Sequence, residues 1–238
     1  MMQSSLLEII IVLLVLIAVV IICIKTNKLT IPAALTGGVI GFLIWLGAGV
    51  GGLVLLGVFF FLGVKATSHR RALKMVPGEQ HQEKRSSGQV FANGGMAAIM
   101  ALLALLDTDR EALYRMMMAA ALASATADTL SSELGMIYGR NFYNIISFKE
   151  ELKGLDGVVS LEGTLLGAAG ALIIAVVYAL FFGITGNVII VFIAGNVGNL
   201  ADSWLGATLE RKQRIGNNTV NFLNTLLAAL VAMGGWYC

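Results

Sequence analysis

The feature that most constrains this chain is a stretch from residue 31 to residue 64 that contains no charged residue. As one helix it would extend about 51 Å, whereas the hydrocarbon core of a bilayer is about 30 Å thick. The stretch therefore predicts two membrane spans. Thr30 and Pro32 favour a capped start of the first span. The glycines that favour a break between the two spans are Gly47, Gly49, Gly51 and Gly52.

Further apolar segments are long enough, or nearly long enough, to cross a bilayer. They cover about residues 9–24, 90–106, 112–127, 164–182, 188–200 and 220–236. A mean hydropathy of +0.85 and a hydrophobic fraction of 58% also exclude a soluble globular domain. Residues 1–8 carry no Lys or Arg, so we interpret the first segment as a retained span and not as a cleaved signal peptide. The sequence predicts an all-α, polytopic membrane helical bundle of about eight transmembrane helices, with residues 1–238 forming one integral membrane domain.

Basic residues lie almost entirely on one side of the membrane when these spans alternate in direction. The polar loops on that side are predicted at about residues 65–89, 128–163 and 202–219. Of the 16 Lys and Arg residues, only Arg110 and Arg115 lie opposite, so the positive-inside rule predicts a cytoplasmic basic side and extracytoplasmic termini. The basic cluster within residues 65–85 follows from topology alone, or it is a patch for anionic lipid headgroups or a phosphorylated substrate. No nucleic-acid-binding module is recognisable, so nucleic acid is not an expected partner.

A polar cluster directly follows the apolar segment 112–127. It covers residues 125–135 and reads ATADTLSSELG. If the helix continues, Asp128 and Ser132 share a face, and so do Thr129 and Glu133. Carboxylates and hydroxyls in this position could hold Mg²⁺. The alternative is that they cap the helix end or reach the membrane surface.

Amide side chains recur at helical spacing at three further places. Segment 195–203 contains Asn196 and Asn199, with Asp202 three residues later. The start of the last span contains Asn217, Asn218, Asn221 and Asn224, and the start of the fourth contains Gln89 and Asn93. Each set falls largely on one helical face. These side chains could bind phosphate, sugar or base, but hydrogen bonding between membrane helices would use the same residues.

The loop at residues 153–163 reads KGLDGVVSLEG and combines glycines, a hydroxyl and a lysine. Backbone N–H groups in such a loop can bind phosphate, which makes Asp156, Gly157 and Ser160 candidate site residues. The loop does not match the Walker A pattern, and a plain turn before the next span is the alternative.

These polar groups all project to the predicted cytoplasmic side. The acidic members are Asp128, Asp156 and Asp202, and the nearby basic residues are Arg140, Lys149, Lys153 and Arg211. In phosphoryl transfer, Mg²⁺ bridges phosphate oxygens and cations offset the developing charge. The combination therefore indicates a site for Mg²⁺ and a nucleotide.

At these motifs the sequence resembles an integral-membrane family that includes plant phytyl-phosphate kinase and mammalian transmembrane protein nineteen. The resemblance rests on segments 88–95 (GQVFANGG), 125–129 (ATADT), 132–135 (SELG), 156–160 (DGVVS), 163–164 (GT), 202–208 (DSWLGAT) and 217–221 (NNTVN), in that order. It implies phosphorylation of an isoprenyl monophosphate, such as phytyl or geranylgeranyl phosphate, to the diphosphate. The implied phosphate donor is a nucleoside triphosphate such as CTP.

We therefore predict a membrane phosphotransferase that holds a prenyl monophosphate between its helices, with the tail in the bilayer region. The predicted catalytic residues are Asp128, Asp202 and Glu133, and the predicted Mg²⁺ ligands are Asp128, Asp202 and Asp156. The predicted phosphate and nucleotide contacts are Asn93, Arg140, Lys149, Lys153, Asp156, Gly157, Ser160, Asn217, Asn218 and Asn221. Two alternatives stay open: a cytidylyltransferase that makes a CDP-lipid, and a transporter or lipid-binding protein whose polar residues line a pathway.

Overall fold

The computed structural model describes residues 6–74 and 84–238, which form a helical bundle. Its helices are α1 (Leu6–Lys25), α2 (Ile31–Ser68), α3 (Ser87–Leu106), α4 (Glu111–Tyr138), α5 (Leu161–Phe182), α6 (Asn187–Leu205) and α7 (Asn217–Trp236). Within the described residues, six of these, all but α4, are long and apolar enough to cross a membrane. The predicted all-α, polytopic membrane architecture is confirmed, while the number of spans and the side on which the termini lie stay predictions.

Helix α2 contains the predicted break. The Thr30 hydroxyl accepts a hydrogen bond from the Ala33 N–H at 3.3 Å and caps the start of the helix. At Gly49 the backbone turns to φ 63°, ψ −154°, a conformation that favours glycine. A Cβ built on Gly41 would lie 3.6 Å from Leu56 Cδ2, although a straight helix would separate these residues by about 22 Å. The two halves of α2 therefore pack side by side.

Helix α4 lies at the centre of the bundle and contacts α2, α3, α5, α6 and α7. Every residue from 116 to 127 is buried, and small side chains let neighbouring helices approach closely. Gly198 of α6 is one such contact, because a Cβ there would collide with the Ser124 hydroxyl. This close packing of α6 against α4 sets the distance between the polar residues at the ends of both helices.

The helices alternate in direction, so one end of the bundle, here called the polar end, gathers the predicted polar segments. The opposite end is marked by the Gly49 turn, where Gly47 packs against the Ala101 backbone and Gly51 against Phe181. The basic residues predicted to share one side all belong to the polar end or its connections. Residues 75–83 of the predicted loop 65–89 contain no Lys or Arg and lie outside the described residues.

Two predicted loops begin later than expected. Helix α4 continues to Tyr138, and α6 runs to Leu205 and then into a π-helical segment, Gly206–Glu210. The helix accommodates these hydroxyls by bonding them to carbonyls of the preceding turn: Thr129 Oγ1 donates to Ala125 O at 2.8 Å, and Ser132 Oγ to Asp128 O at 2.8 Å. Between α4 and α5, strands β1 (Tyr143–Asn144) and β2 (Val158–Val159) pair antiparallel.

Candidate functional site

A polar cavity of about 410 Å³ opens at the polar end. Helices α3, α4, α6 and α7 contribute to its lining, together with the loop that leads into α5 and the residues on either side of the α2–α3 connection. The predicted site residues that line it are Asn93, Asp128, Glu133, Asp156, Gly157, Ser160, Asp202, Asn217 and Asn221. Residues from distant parts of the sequence are therefore brought together at one site.

The carboxyl groups of Asp128 and Asp202 lie side by side, within hydrogen-bonding reach of each other. Two adjacent carboxylates repel unless a proton or a cation lies between them. Asp156 lines the same cavity, but no three His, Cys, Asp or Glu side chains among the described residues are placed to hold a metal ion. Mg²⁺ is commonly bound by one or two carboxylates that are completed by water and substrate phosphates. The pair fits that kind of site.

Asp202 is held in place by a chain of hydrogen bonds through the core. The Asn224 amide Nδ2 donates to Asp202 Oδ1 at 2.6 Å, and the Ser124 hydroxyl donates to Asn224 Oδ1 at 3.0 Å. Ser124 and Asn224 are both fully buried. The predicted amide stripe on α7 thus provides interhelical bonding at Asn224, and this bonding orients a carboxylate of the cavity.

Asn224→Leu should weaken Mg²⁺ binding by about 10- to 100-fold, because outer partners that orient a metal ligand contribute effects of that size. The measurement is the Mg²⁺ concentration dependence of thermal stability in detergent. Asn196→Leu is the matched control, since the Asn196 amide bonds only to Phe192 O of its own helix among the contacts described, at 2.8 Å. An unchanged Mg²⁺ dependence in folded Asn224→Leu protein would contradict the positioning role.

Glu133 lines the cavity and forms an ion pair with Lys74. Lys74 Nζ lies 2.7 Å from Glu133 Oε2, and it also donates to the carbonyls of Ala66 at 2.6 Å and Thr67 at 3.2 Å. The Lys74 side chain is only 3% exposed. This ion pair ties the end of α2 to α4 and neutralises Glu133, which suits Glu133 to support of the site more than to direct contact with a metal.

Arg85 is the second cation of the cavity. Its guanidinium Nη2 donates to Thr67 Oγ1 at 3.3 Å. Burial lowers the pKa of Arg85, while the carboxylates of Glu133 and Asp128 raise it. Because arginine keeps its proton throughout the physiological range, Arg85 places a fixed positive charge near the carboxylates of Glu133 and Asp128.

The cations predicted for phosphate binding lie outside the cavity lining. The Arg140 side chain is 87% exposed and lies 3.9 Å from Glu162, and Lys149 and Lys153 are exposed in the segment between β1 and β2. Residues 154–157 of the same segment do line the cavity. Asn218 packs against Gly88 at the start of α3. Neither these three cations nor Asn218 lines the cavity, and their contact with a ligand stays a prediction.

Three charged residues of the cavity lining are absent from the predicted set: Lys74, Arg85 and Glu210. The signal for the first two was the basic cluster within residues 65–85, which allowed a phosphate-binding patch beside a purely topological explanation. Glu210 had no comparable signal, because it reaches the cavity from the π-helical segment. Such segments are often found at functional sites.

The cavity is more acidic than basic. Its carboxylates are Asp128, Glu133, Asp156, Asp202 and Glu210, whereas its cations among the described residues are Lys74 and Arg85. Free phosphate would be repelled by this excess of negative charge. A phosphate compound that carries a divalent cation would instead match both the carboxylates and the arginine.

The profile of the family described as "Integral membrane protein DUF92" matches residues 14–229 of the chain. The chain belongs to this family. The resemblance inferred from the motifs is therefore confirmed. No solved structure matches this DUF92 protein.

Relatives of this DUF92 protein occur in archaea, bacteria and plants. An uncharacterised membrane protein of Methanocaldococcus jannaschii is 32% identical, over 91% of this chain and 92% of its own length. Protein VTE6, chloroplastic, of Arabidopsis thaliana is 29% identical, over 82% of this chain and 61% of its own length. An uncharacterised membrane protein of Synechocystis is 32% identical, over 82% of this chain and 78% of its own length. The similarity covers most of this chain in each case.

Proposed function

We propose that this DUF92 protein is a prenyl-phosphate kinase that uses a nucleoside triphosphate, such as CTP, and Mg²⁺. The terminal phosphorus of the nucleotide forms a bond to an oxygen of the prenyl monophosphate, and its bond to the bridging oxygen breaks. The products are the prenyl diphosphate and a nucleoside diphosphate. The motif resemblance to phytyl-phosphate kinase and the similarity to VTE6 support this reaction class.

The observation that carries the proposal is the adjacent pair Asp128 and Asp202 in an acidic cavity at the end of a membrane bundle. The pair would hold Mg²⁺, which when bound neutralises phosphate charge and aligns the two substrates. Arg85 supplies positive charge beside the pair, and the Lys74–Glu133 ion pair keeps the wall of the cavity in place. A phosphate-monoester oxygen is already ionised near neutral pH, so positioning matters more than a strong general base.

The loop into α5 would contribute backbone contacts to the nucleotide. Gly154 and Gly157 both adopt positive φ, at 88° and 74°, and a Cβ on Gly157 would collide with Ala207. The loop therefore packs directly on the π-helical segment and faces the cavity. Its last residue, Ser160, caps α5, whose N-terminal amides favour an anion nearby.

We further propose that the site faces the cytoplasm. The basic residues concentrate at the polar end, and Arg110 and Arg115 lie at the other end of α4. This distribution is the one expected when the polar end stays on the side of synthesis. Nucleotide and Mg²⁺ would then reach the cavity from the aqueous phase while the lipid substrate stays in the membrane.

The test is product analysis with purified protein in detergent. The protein is given Mg²⁺, CTP or ATP, and phytyl, geranylgeranyl or farnesyl monophosphate. We expect prenyl diphosphate and the matching nucleoside diphosphate. A CDP-lipid with pyrophosphate would establish a cytidylyltransferase instead. Folded protein that shows neither turnover nor stabilisation by Mg²⁺-nucleotide would refute the kinase proposal and favour a transporter or lipid-binding protein.

A further inference from the structure

A second cavity, of about 200 Å³, lies between α1, α2 and α3. Aliphatic and aromatic side chains form most of its wall, among them Leu16, Val20, Leu53, Phe60 and Val90. Gly57 of α2 also faces it, and a Cβ added there would meet nothing within 4 Å. Such a wall suits hydrocarbon and offers few partners to a nucleotide or an ion.

The apolar cavity and the polar cavity share three lining residues, here called the junction: Arg85, Gln89 and Asn93. Arg85 is fixed there by its backbone, since its N–H donates to Lys28 O and its carbonyl accepts from Thr30 N–H, each at 3.2 Å. A Cβ on Gly63 would lie 3.1 Å from Arg85 Nη2. Glycine at position 63 therefore leaves room for the guanidinium between α2 and the junction.

Asn93 gives the junction a second polar group that calls for a ligand. Its Nδ2 donates to Gln89 O at 2.9 Å, but its Oδ1 is buried with no hydrogen-bond partner. An unpaired acceptor inside a membrane helix is unfavourable. A hydrogen-bond donor at the junction, such as a water held by a substrate phosphate, would satisfy it, while the ligand's apolar part would continue into the second cavity.

We propose that the cavity between α1, α2 and α3 binds the prenyl chain of the substrate, and that Arg85 binds its phosphate where the two cavities meet. This inference rests on the proposed prenyl-phosphate kinase function. The two cavities share Arg85, Gln89 and Asn93 as lining residues, and a charged head on an apolar chain matches that order of polar, cationic and apolar lining. Only 11% of the apolar span of α1 is buried inside the protein, so the prenyl chain would enter sideways from the bilayer.

The first test does not depend on turnover. A farnesyl monophosphate analogue with a diazirine near the end of its chain is photolysed with the full-length protein, and the labelled peptides are mapped. We expect labels on α1 and α2 that excess geranylgeranyl phosphate suppresses and excess phosphatidylcholine does not. Labels confined to other helices would overturn the proposal. Equal suppression by phosphatidylcholine would also overturn it, in favour of a bilayer lipid as the occupant.

This design separates the two proposals. Labelling of α1 and α2 without any diphosphate product would support the chain site and refute the kinase reaction. Diphosphate formation with labels elsewhere would support the kinase and refute the chain site.

The second test fills the cavity. In Gly57→Leu protein, the new side chain should lower kcat/KM for geranylgeranyl phosphate by about tenfold more than for the shorter geranyl phosphate. Gly234→Leu is the matched control, because an added Cβ at this α7 glycine also meets nothing within 4 Å. Equal effects on both chain lengths, or equal effects of both variants, would contradict a chain site at Gly57.

The third test addresses the head of the substrate. Arg85→Gln should raise KM by about tenfold or more for every chain length, and Arg85→Lys should restore part of the loss, since a charge-assisted contact to phosphate is removed and then partly replaced. Arg214→Gln, at an exposed arginine outside the cavity lining, should change nothing. An unchanged KM in folded Arg85→Gln protein would rule out the phosphate contact.

Discussion

Asp128→Asn and Asp202→Asn should each lower the rate of phosphoryl transfer by about 10²- to 10³-fold, the size of effect seen when one electrostatic contact to a transition state is lost. The two carboxyl groups lie next to each other in the cavity. An amide keeps the shape of the side chain but lacks the negative charge that favours Mg²⁺. The measurement is diphosphate formed per unit time at saturating Mg²⁺ and nucleotide.

The same variants carry their own folding control. Without metal, the adjacent carboxylates repel, so either substitution should leave the Tm of metal-free protein unchanged or raise it. Asp109→Asn removes an exposed carboxylate at the opposite end of the bundle and should alter neither rate nor Tm. If either site variant keeps a rate within threefold of the parent protein, that carboxylate does not hold the metal.

Lys74→Met should destabilise the protein by about 3 kcal/mol, because removing one partner leaves the Glu133 carboxylate with an uncompensated charge in a partly buried site. The Lys74 side chain is 3% exposed and that of Glu133 is 23% exposed. For a chain of this size the loss corresponds to a Tm lower by about 6 to 12 °C. The measurement is thermal unfolding in detergent without ligands.

The double variant Lys74→Met/Glu133→Gln should recover most of that stability, because it removes both charges together. Lys149→Met is the comparison for loss of an exposed lysine and should be nearly neutral. A Tm for Lys74→Met that equals the Tm of Lys149→Met would show that the ion pair does not stabilise the polar end.

Much of the bundle could be predicted because its determinants are local. A segment of about 20 apolar residues has few options in a bilayer other than a helix. The break at Gly49 followed from the length of the uncharged stretch and from its glycines. The ends of α4 and α6 were placed less well, because hydroxyl and carboxyl residues resemble loop residues in composition. In the folded protein their side chains bond back to their own helices or face the cavity.

The carboxylates and amides of the site were also accessible from the sequence. Polar residues at the ends of membrane helices are expensive to bury, so Asp128, Asp202 and Asn221 stood out against an apolar background. For the cations, sequence proximity favoured Arg140, Lys149 and Lys153, whereas the cations that line the cavity are Lys74 and Arg85. The side chains of Arg140, Lys149 and Lys153 are exposed and lie outside the lining, although residues 154–157, which follow Lys153 directly, do line the cavity.

The sequence by itself determined the membrane helices, the family and all the acidic residues of the cavity except Glu210, because hydropathy, helical spacing and motif order are properties of short segments. Only the tertiary structure decided which cations face those acids. Lys74 and Arg85 reach the cavity through the packing of α2 against α3 and α4, and that packing depends on contacts between residues far apart in the chain. The apolar cavity beside Arg85 has the same origin, since it exists only where α1, α2 and α3 meet.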